Sequence, residues 1–319
     1  MPLMKFYNSI FICSKPLHFF NAASIVRDYR IEVAKVIVVD QAISDCESFY
    51  EFVYSNYLGC VFSEVVFFPS YELAIKSVGE KFRGELFVED DRVSLYYLFK
   101  KVNHEVLLVY EEGMGTYLGH YKYFLSWAGY LRWYISSIFF GCGLDFGASR
   151  TTKHIFVRYP EIFKKLKPKL ADKVKRMPGH ISEIKLLKYE ILEYCSDDFK
   201  KIVAKERMNE DVALILGTWG GLRDEDFESI SAKGHGEILY KSHPHDHVEI
   251  NKFTGVREYA WLPAEAMILF LANAYETVTV YHYSSSVCFY KGDLPGNVRF
   301  VCLGDTLFRY EKIMKTALE

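Results

Sequence analysis

The run Val106-Leu107-Leu108-Val109-Tyr110-Glu111-Glu112-Gly113 decides how this 319-residue chain is read. Its apolar residues do not alternate with polar ones, which describes a strand buried on both faces, as in a parallel sheet covered by helices. Two carboxylates and a glycine then end it abruptly. Residues at the carboxyl ends of such strands line the crevice where open α/β sheets bind ligands. Two later stretches share this form: Glu237 to Lys241 leads into Ser242-His243-Pro244, and Thr277 to Tyr281 leads towards Ser284-Ser285-Ser286. A carboxylate pair, an imidazole and a hydroxyl cluster thus each stand where a strand runs out.

Outward from that run, the same alternation fills the first half. Phe6 to Cys13 reads as a buried strand, the Ser14-Lys15-Pro16-Leu17-His18 loop follows, and a helix continues to Asp28. Strands at Val33–Asp40, Glu64–Phe68, Gly84–Val88 and Glu105–Tyr110 alternate with helices at Ser44–Tyr57 and Tyr71–Lys81. From Pro160 to Lys205 the chain becomes charged, punctuated by Pro168 and Pro178, and reads as a connector. Strands resume at Val212–Leu216, Glu237–Lys241, Thr277–Tyr281 and Val298–Cys302, with a helix at Ala264–Ala272. Alternation of this kind predicts an α/β fold with mostly parallel sheets. We expect two Rossmann-like domains, residues 1–205 and 206–319, with a cleft between them, the architecture called GT-B.

Composition narrows the function classes. The chain is 50% hydrophobic and 25% charged, an ordinary globular balance, and its formal net charge of -2 gives no global reason to expect nucleic acid. Seven cysteines, at 13, 46, 60, 142, 195, 288 and 302, never fall at CxxC spacing, which fits reduced thiols in the cytoplasm. Met1 to Lys15 lacks the pattern of a secretory signal. Tyr123 to Phe146 is rich in Phe, Trp, Tyr, Ile and Leu, with Arg132 in its middle. That arginine and the abundance of Tyr and Trp fit a buried helix, a homodimer contact or a peripheral membrane face at the inner surface better than a span. The cluster Lys164, Lys165, Lys167, Lys169, Lys173, Lys175 and Arg176 suits either an anionic membrane or a solvated helical face.

The missing motifs are informative too. No GxGxxG follows the first strand, no GxxxxGK[ST] occurs, and no Asp-x-Asp follows a strand to hold a cation against a diphosphate. Glu89-Asp90-Asp91 is the nearest acidic run and reads as a solvated turn. At Glu111 and Glu112, Gly113 and Gly115 permit a tight turn with positive φ, so that one carboxylate faces a crevice while its neighbour turns away. A partly desolvated carboxylate can take a proton from a hydroxyl near neutrality. His243, its loop fixed by Pro244, is placed to neutralise or protonate a leaving phosphate. His243, His245 and His247 stand at alternate positions rather than at helical ligand spacing, so no metal is expected. Ser284, Ser285 and Ser286 read as a strand-to-helix turn offering hydroxyls and N–H groups to an anion. Thr218, among glycines after Leu216, stands at the equivalent end of the second domain's first strand, and Glu265 opens a helix where it can meet a ribose diol.

Taken in order, Glu111-Glu112-Gly113, His243-Pro244 and the serine triplet resemble the signature of bacterial sialyltransferases of the lipooligosaccharide and polysialic acid type, glycosyltransferase families fifty-two and thirty-eight. Ser14 to His18 is similar to the first loop of that family, so that Ser14, His18, Glu112 and Gly113 become expected substrate contacts. The resemblance implies an inverting transfer of sialic acid from CMP-sialic acid to a glycan acceptor, independent of metal. It further implies Glu111 as general base, His243 as phosphate ligand and acid, with Thr218, Pro244, Ser284, Ser285, Ser286 and Glu265 on the donor side. Two other expectations keep the architecture: a CMP-Kdo or other CMP-nonulosonate transferase, and a nucleotide-sugar epimerase.

Overall fold

Among the described residues, every strand pairing in the computed structural model is parallel, in keeping with the unalternated apolar runs. The structure describes residues 8–40, 46–79, 82–92, 102, 106–118, 127–204, 208–217, 222–242, 256–259, 262–283 and 285–303. The chain divides into two compact units, residues 1–41 with 50–183 and residues 42–49 with 184–319.

The first unit is built on seven strands: β1 (Ser9–Cys13), β2 (Ala34–Val39), β3 (Glu64–Phe68), β4 (Glu85–Val88), β5 (Val106–Tyr110), β6 (Thr152–Val157) and β7 (Val174–Arg176). They lie in the order β3-β2-β1-β4-β5-β6-β7, so the sheet grows one way from β1 and then the other way through β4. That reversal between β1 and β4 is the switch point at which open α/β sheets bind ligands. Helices α1 (Pro16–Tyr29), α2 (Cys46–Tyr57), α3 (Tyr71–Val78), α4 (Met114–Leu118), α5 (Trp127–Phe140) and α6 (Pro160–Leu166) connect them. Pro16 opens α1 where its missing N–H costs nothing, and Arg30 closes it in the left-handed region with φ 52°. Aromatic packing fills the core: Phe11 stacks on Phe87 at 4.1 Å, and Phe19 meets the Tyr57 ring edge-on at 4.6 Å. Each such buried ring contributes about 1.5–3 kcal/mol through area removed from water.

The second unit repeats the plan with β8 (Met208–Leu216), β9 (Glu237–Lys241), β10 (Val256–Tyr259), β11 (Tyr275–His282) and β12 (Val298–Cys302), in the order β10-β9-β8-β11-β12. Its switch point lies between β8 and β11. Helix α10 (Asp224–Ser231) lies between β8 and β9, and helix α11 (Ala264–Ala274) is buried almost along its length, as its run of apolar residues requires.

The stretch expected to be a charged connector is largely helical. Helix α6, a 3-10 turn (Pro168–Lys173), α7 (His180–Leu186), α8 (Lys188–Glu193) and α9 (Asp197–Val203) occupy it. Many of their charges, such as Lys165, Lys169 and Lys185, are exposed, whereas Glu183 is buried against Arg27, and Phe199 of α9 is buried edge-on against Phe270 of α11 at 5.9 Å. That packing draws residues 184–205 into the second unit, so the compact units part at 183/184 where the sequence reading divided the chain at 205/206. Strands β6, β7 and β10 are additions to the expected set, and none of the seven cysteines, all of them described, forms a disulfide.

Candidate active site

At the switch point of the first unit, three strand ends converge because β1, β4 and β5 are neighbours in the sheet. Ser14 and Lys15 leave β1, Glu89 and Asp90 leave β4, and Glu111 and Glu112 leave β5. Gly113 carries the chain onward with φ 129°, in the range that favours glycine, and begins the turn into α4.

The two adjacent glutamates have opposite fates. Glu111 is 0% exposed, and its Oε2 accepts hydrogen bonds from the Tyr117 hydroxyl at 2.5 Å and the Arg158 N–H at 2.8 Å. It thereby ties the end of β5 to α4 and to the segment after β6. The carboxylate of the pair that meets solvent is Glu112, 29% exposed at its side chain. Glu111, which the sequence resemblance makes the general base, is thus enclosed, and Glu112 is the member of the pair open to solvent. Lys15 Nζ stands 3.2 Å from Glu112 Oε1 and Arg92 Nη2 3.4 Å from Oε2. Burial opposes the charge of Glu112, but these two cations outweigh it and hold the carboxyl at about 2.

Glu89-Asp90-Asp91, expected as a solvated turn, is buried throughout, at 4%, 6% and 0% exposure. The correction has a clear cause, since each carboxylate has found donors distant in sequence or built into its own turn. Asp91 accepts from the N–H groups of Gly147 and Ser149 and from the Thr152 hydroxyl, at 2.8, 3.1 and 2.6 Å. Asp90 takes the Arg92 guanidinium at both oxygens, at 2.7 and 2.9 Å, a bidentate pairing. Glu89 Oε1 accepts from the Ser14 hydroxyl at 2.8 Å.

Ser14 also lies 3.3 Å from His18 Nδ1. When the serine proton is directed to Glu89, the Nδ1–H tautomer of the histidine donates to the serine oxygen and leaves Nε2 as an acceptor. Burial first, and then the charge of Lys15, push His18 down to about 3, so the ring is neutral at physiological pH. Burial pushes Glu89 up to about 8 against the hydrogen bonds that favour its charge. Among the described residues, Glu89 Oε2 and His18 Nε2 find no hydrogen-bond partner, although both side chains are buried. Ser14 and His18, expected as loop contacts, are thus 5% and 0% exposed and form the floor of this cluster. Sequence reasoning missed Glu89 and Arg92. The available signal was that Glu89, like Ser14 and Glu111, follows an apolar run directly.

In the second unit, Leu216 is in register with Lys241 and with His282, so β8, β9 and β11 end level. The Gly217 N–H donates to the Lys241 carbonyl at 2.9 Å, joining two of the ends. Ser285 caps the following 3-10 helix (Ser286–Asp293) by accepting the Val287 N–H at 3.4 Å, and its own N–H donates to His282 Nδ1 at 3.3 Å. Burial lowers His282 to about 4. Ser286 is half-buried in the first turn of that helix, and Glu265 is buried, at 5% exposure, in the first turn of α11. Thr218, His243, Pro244 and Ser284 lie outside the described residues. An apolar cavity of about 240 Å³ in this unit, lined by Ile184, Leu269 and Phe270 among others, contains none of the expected site residues.

No protein-family model and no curated protein matches the chain. Solved structures do match it in fold. The UDP complex of TcCGT1 is 8% identical, over 98% of this chain and 90% of that one, with a TM-score of 0.51. UDP-N-acetylglucosamine 2-epimerase from Rickettsia bellii is 10% identical, over 92% and 78%, with a TM-score of 0.50. At such identities the likeness is one of architecture, and it agrees with what the two sheets display: the chain has the GT-B fold, two Rossmann-like units in succession.

Proposed function

We propose that the chain is an inverting glycosyltransferase of the cytoplasm that moves sialic acid from CMP-sialic acid to a hydroxyl of a cell-surface glycan, without a metal ion. The observation that carries the proposal is the cluster at the β1/β4/β5 ends, where one half-exposed carboxylate, Glu112, stands beside buried Ser14, His18 and Glu89. Support comes also from the order of the acidic-acidic-glycine, histidine-proline and serine motifs along the chain, and from the GT-B fold.

In this reading the acceptor hydroxyl attacks the anomeric carbon as the bond to the CMP phosphate breaks, and CMP departs with the bonding electrons. The acceptor proton passes to Glu112. A carboxylate held at about 2 is a weak base, yet it suffices here. A tertiary anomeric centre ionises early, so the attacking oxygen has become a strongly acidic oxonium by the time its proton leaves. Glu111 acts as a positioning residue that anchors the strand end. His243 with Pro244, Thr218, Ser285 with Ser284 or Ser286, and Glu265 are assigned to the phosphate and ribose of the donor. Hydroxyls and N–H groups suit one phosphate, which needs no bridging cation.

A product assay resolved by mass, with CMP-sialic acid and a panel of galactosides and sialosides, tests the proposal. Transfer of one or more sialic acid units supports it. Turnover of CMP-Kdo alone would reassign the donor to another nonulosonic acid. A second reading, a nucleotide-sugar epimerase, is favoured by the fold likeness to the Rickettsia bellii enzyme. Calorimetric titration separates the two, since that reading requires UDP to bind and CMP not to.

A further inference from the structure

We infer that the outward face of α5 is a docking surface for an anionic lipid bilayer. A helix packed on a water-soluble domain turns its polar face outward. Helix α5 does the reverse: Trp127, Leu131, Tyr134, Ile135, Ile138 and Phe139 are exposed, Trp127 at 79% and Phe139 at 81%, while its buried residue is Ser137. Trp127, Leu131, Ile135 and Ile138 recur at intervals of four, four and three, which sets them along one stripe. Exposed apolar surface that is contiguous marks an interaction site, and Trp and Tyr are the side chains that settle at a membrane boundary.

The fourteen residues of α5 reach about 21 Å, short of the roughly 30 Å of a bilayer core. Among the described residues, no helix is long and apolar enough to cross a membrane. A helix with such a face lies along the surface.

Charge selects the occupant. Between residues 127 and 176 the chain carries eleven Lys and Arg against three Asp and Glu, although its total formal charge is -2. The structure gathers several of these cations around the exit of α5. Exposed Arg150 donates its N–H to the Gly141 carbonyl at 3.3 Å, directly after the helix. Lys173 Nζ donates to the carbonyls of Gly147 and Ser149, at 3.4 and 2.9 Å, and Lys167 pairs with Asp145 at 3.1 Å. These bonds tie the lysine-rich segment, with its exposed Lys169, to the loop leaving α5. Buried Lys167 and bonded Lys173 serve as anchors, and the exposed cations, Arg132 on the helix itself with Arg150 and Lys169 beyond its exit, accompany the apolar stripe as anionic headgroups above acyl chains require. A second copy of the same face would bring like charges together, which disfavours self-association there.

Co-sedimentation of the full chain with vesicles tests the inference, and it is independent of the proposed reaction. Wild-type protein is expected to pellet with phosphatidylcholine vesicles containing phosphatidylglycerol, at least about tenfold more than with phosphatidylcholine alone, and to be released by about 0.5 M salt. The double variant Ile135→Ser, Phe139→Ser should lose that binding by about tenfold while keeping its melting curve, because both side chains are already exposed. The pair Arg132→Glu, Arg150→Glu should weaken binding to anionic vesicles alone. No partition onto anionic vesicles overturns the inference. So does a dimer in sedimentation velocity that the Ser double variant dissociates, since the apolar face would then belong to a second copy.

Discussion

The two units place different chemistry on the same architectural edge. At the switch point of the first unit, ionisable side chains crowd together and satisfy one another: Asp90 with Arg92, Glu112 with Lys15 and Arg92, Glu89 with Ser14. At the matching edge of the second unit, an exposed Arg223 pairs with Asp226 at 2.6 Å and Tyr283 donates to the same carboxylate, beside Gly217, a neutral histidine and the Ser285 cap. In the proposed reaction the difference assigns two tasks to one plan: proton transfer at the first edge, where buried carboxylates are fixed by their partners, and donor phosphate binding at the second, where backbone N–H groups and hydroxyls are presented.

The largest effects should come from removing the groups assigned to chemistry. Glu112→Gln and His243→Ala are each expected to lose roughly a hundredfold or more in kcat with little change in melting temperature. Equal loss in Glu111→Gln together with an unchanged melt would return the base to Glu111 and break the distinction between the pair. Otherwise Glu111→Gln should act mainly through stability, at about 1–3 kcal/mol in urea unfolding, because a neutral amide oxygen holds the two donors that now meet Oε2 more weakly than a carboxylate and an NH2 group replaces the other oxygen in a buried site.

Asp91→Ala should cost about 3–5 kcal/mol by the same measurement, since it leaves two N–H groups and a hydroxyl without their acceptor. A solvated turn would lose almost nothing.

A smaller effect concerns pH. Glu89 is raised in the folded chain, so its stabilising contribution is complete below the unfolded carboxylate range and is lost as pH rises through about 8. His18 is depressed, so its contribution is present above its unfolded value and is lost as pH falls towards about 3. The melting temperature of wild type should therefore fall between about pH 6 and pH 9, and that of Glu89→Gln should stay nearly level across the window. Parallel curves would mean that Glu89 does not titrate there. Smallest, Ser285→Ala should remove about 1 kcal/mol as a lost cap and raise the KM for the CMP donor several-fold. An unchanged KM would sever the second edge from donor binding.

The strand framework was legible because apolar runs ending in Gly, Pro or polar residues can be read without any partner, and Glu64–Phe68, Glu237–Lys241 and Val298–Cys302 fall where the sequence puts them. The helices between Pro160 and Val203 were hidden because Lys and Glu cover their outer faces, and a few buried residues such as Phe199 decide their packing. At the site, Glu111 and Glu112 were recognisable as a pair at a strand end. Which of them turns inward was not, because the donors that hold Glu111, Tyr117 and Arg158, are set by α4 and β6. Asp91 makes the same point: its partners lie 56 to 61 residues ahead, where no spacing rule reaches.

The strand order of the first unit bears on how the protein is made. A nascent chain can assemble β1, β2 and β3 as they emerge and then add β4 to β7 outward one at a time. Glu111 leaves the ribosome 47 residues before the Arg158 N–H that it will accept. For that interval the carboxylate is committed to a strand end still open to water, and the interior around it cannot become dry until β6 has been translated and docked.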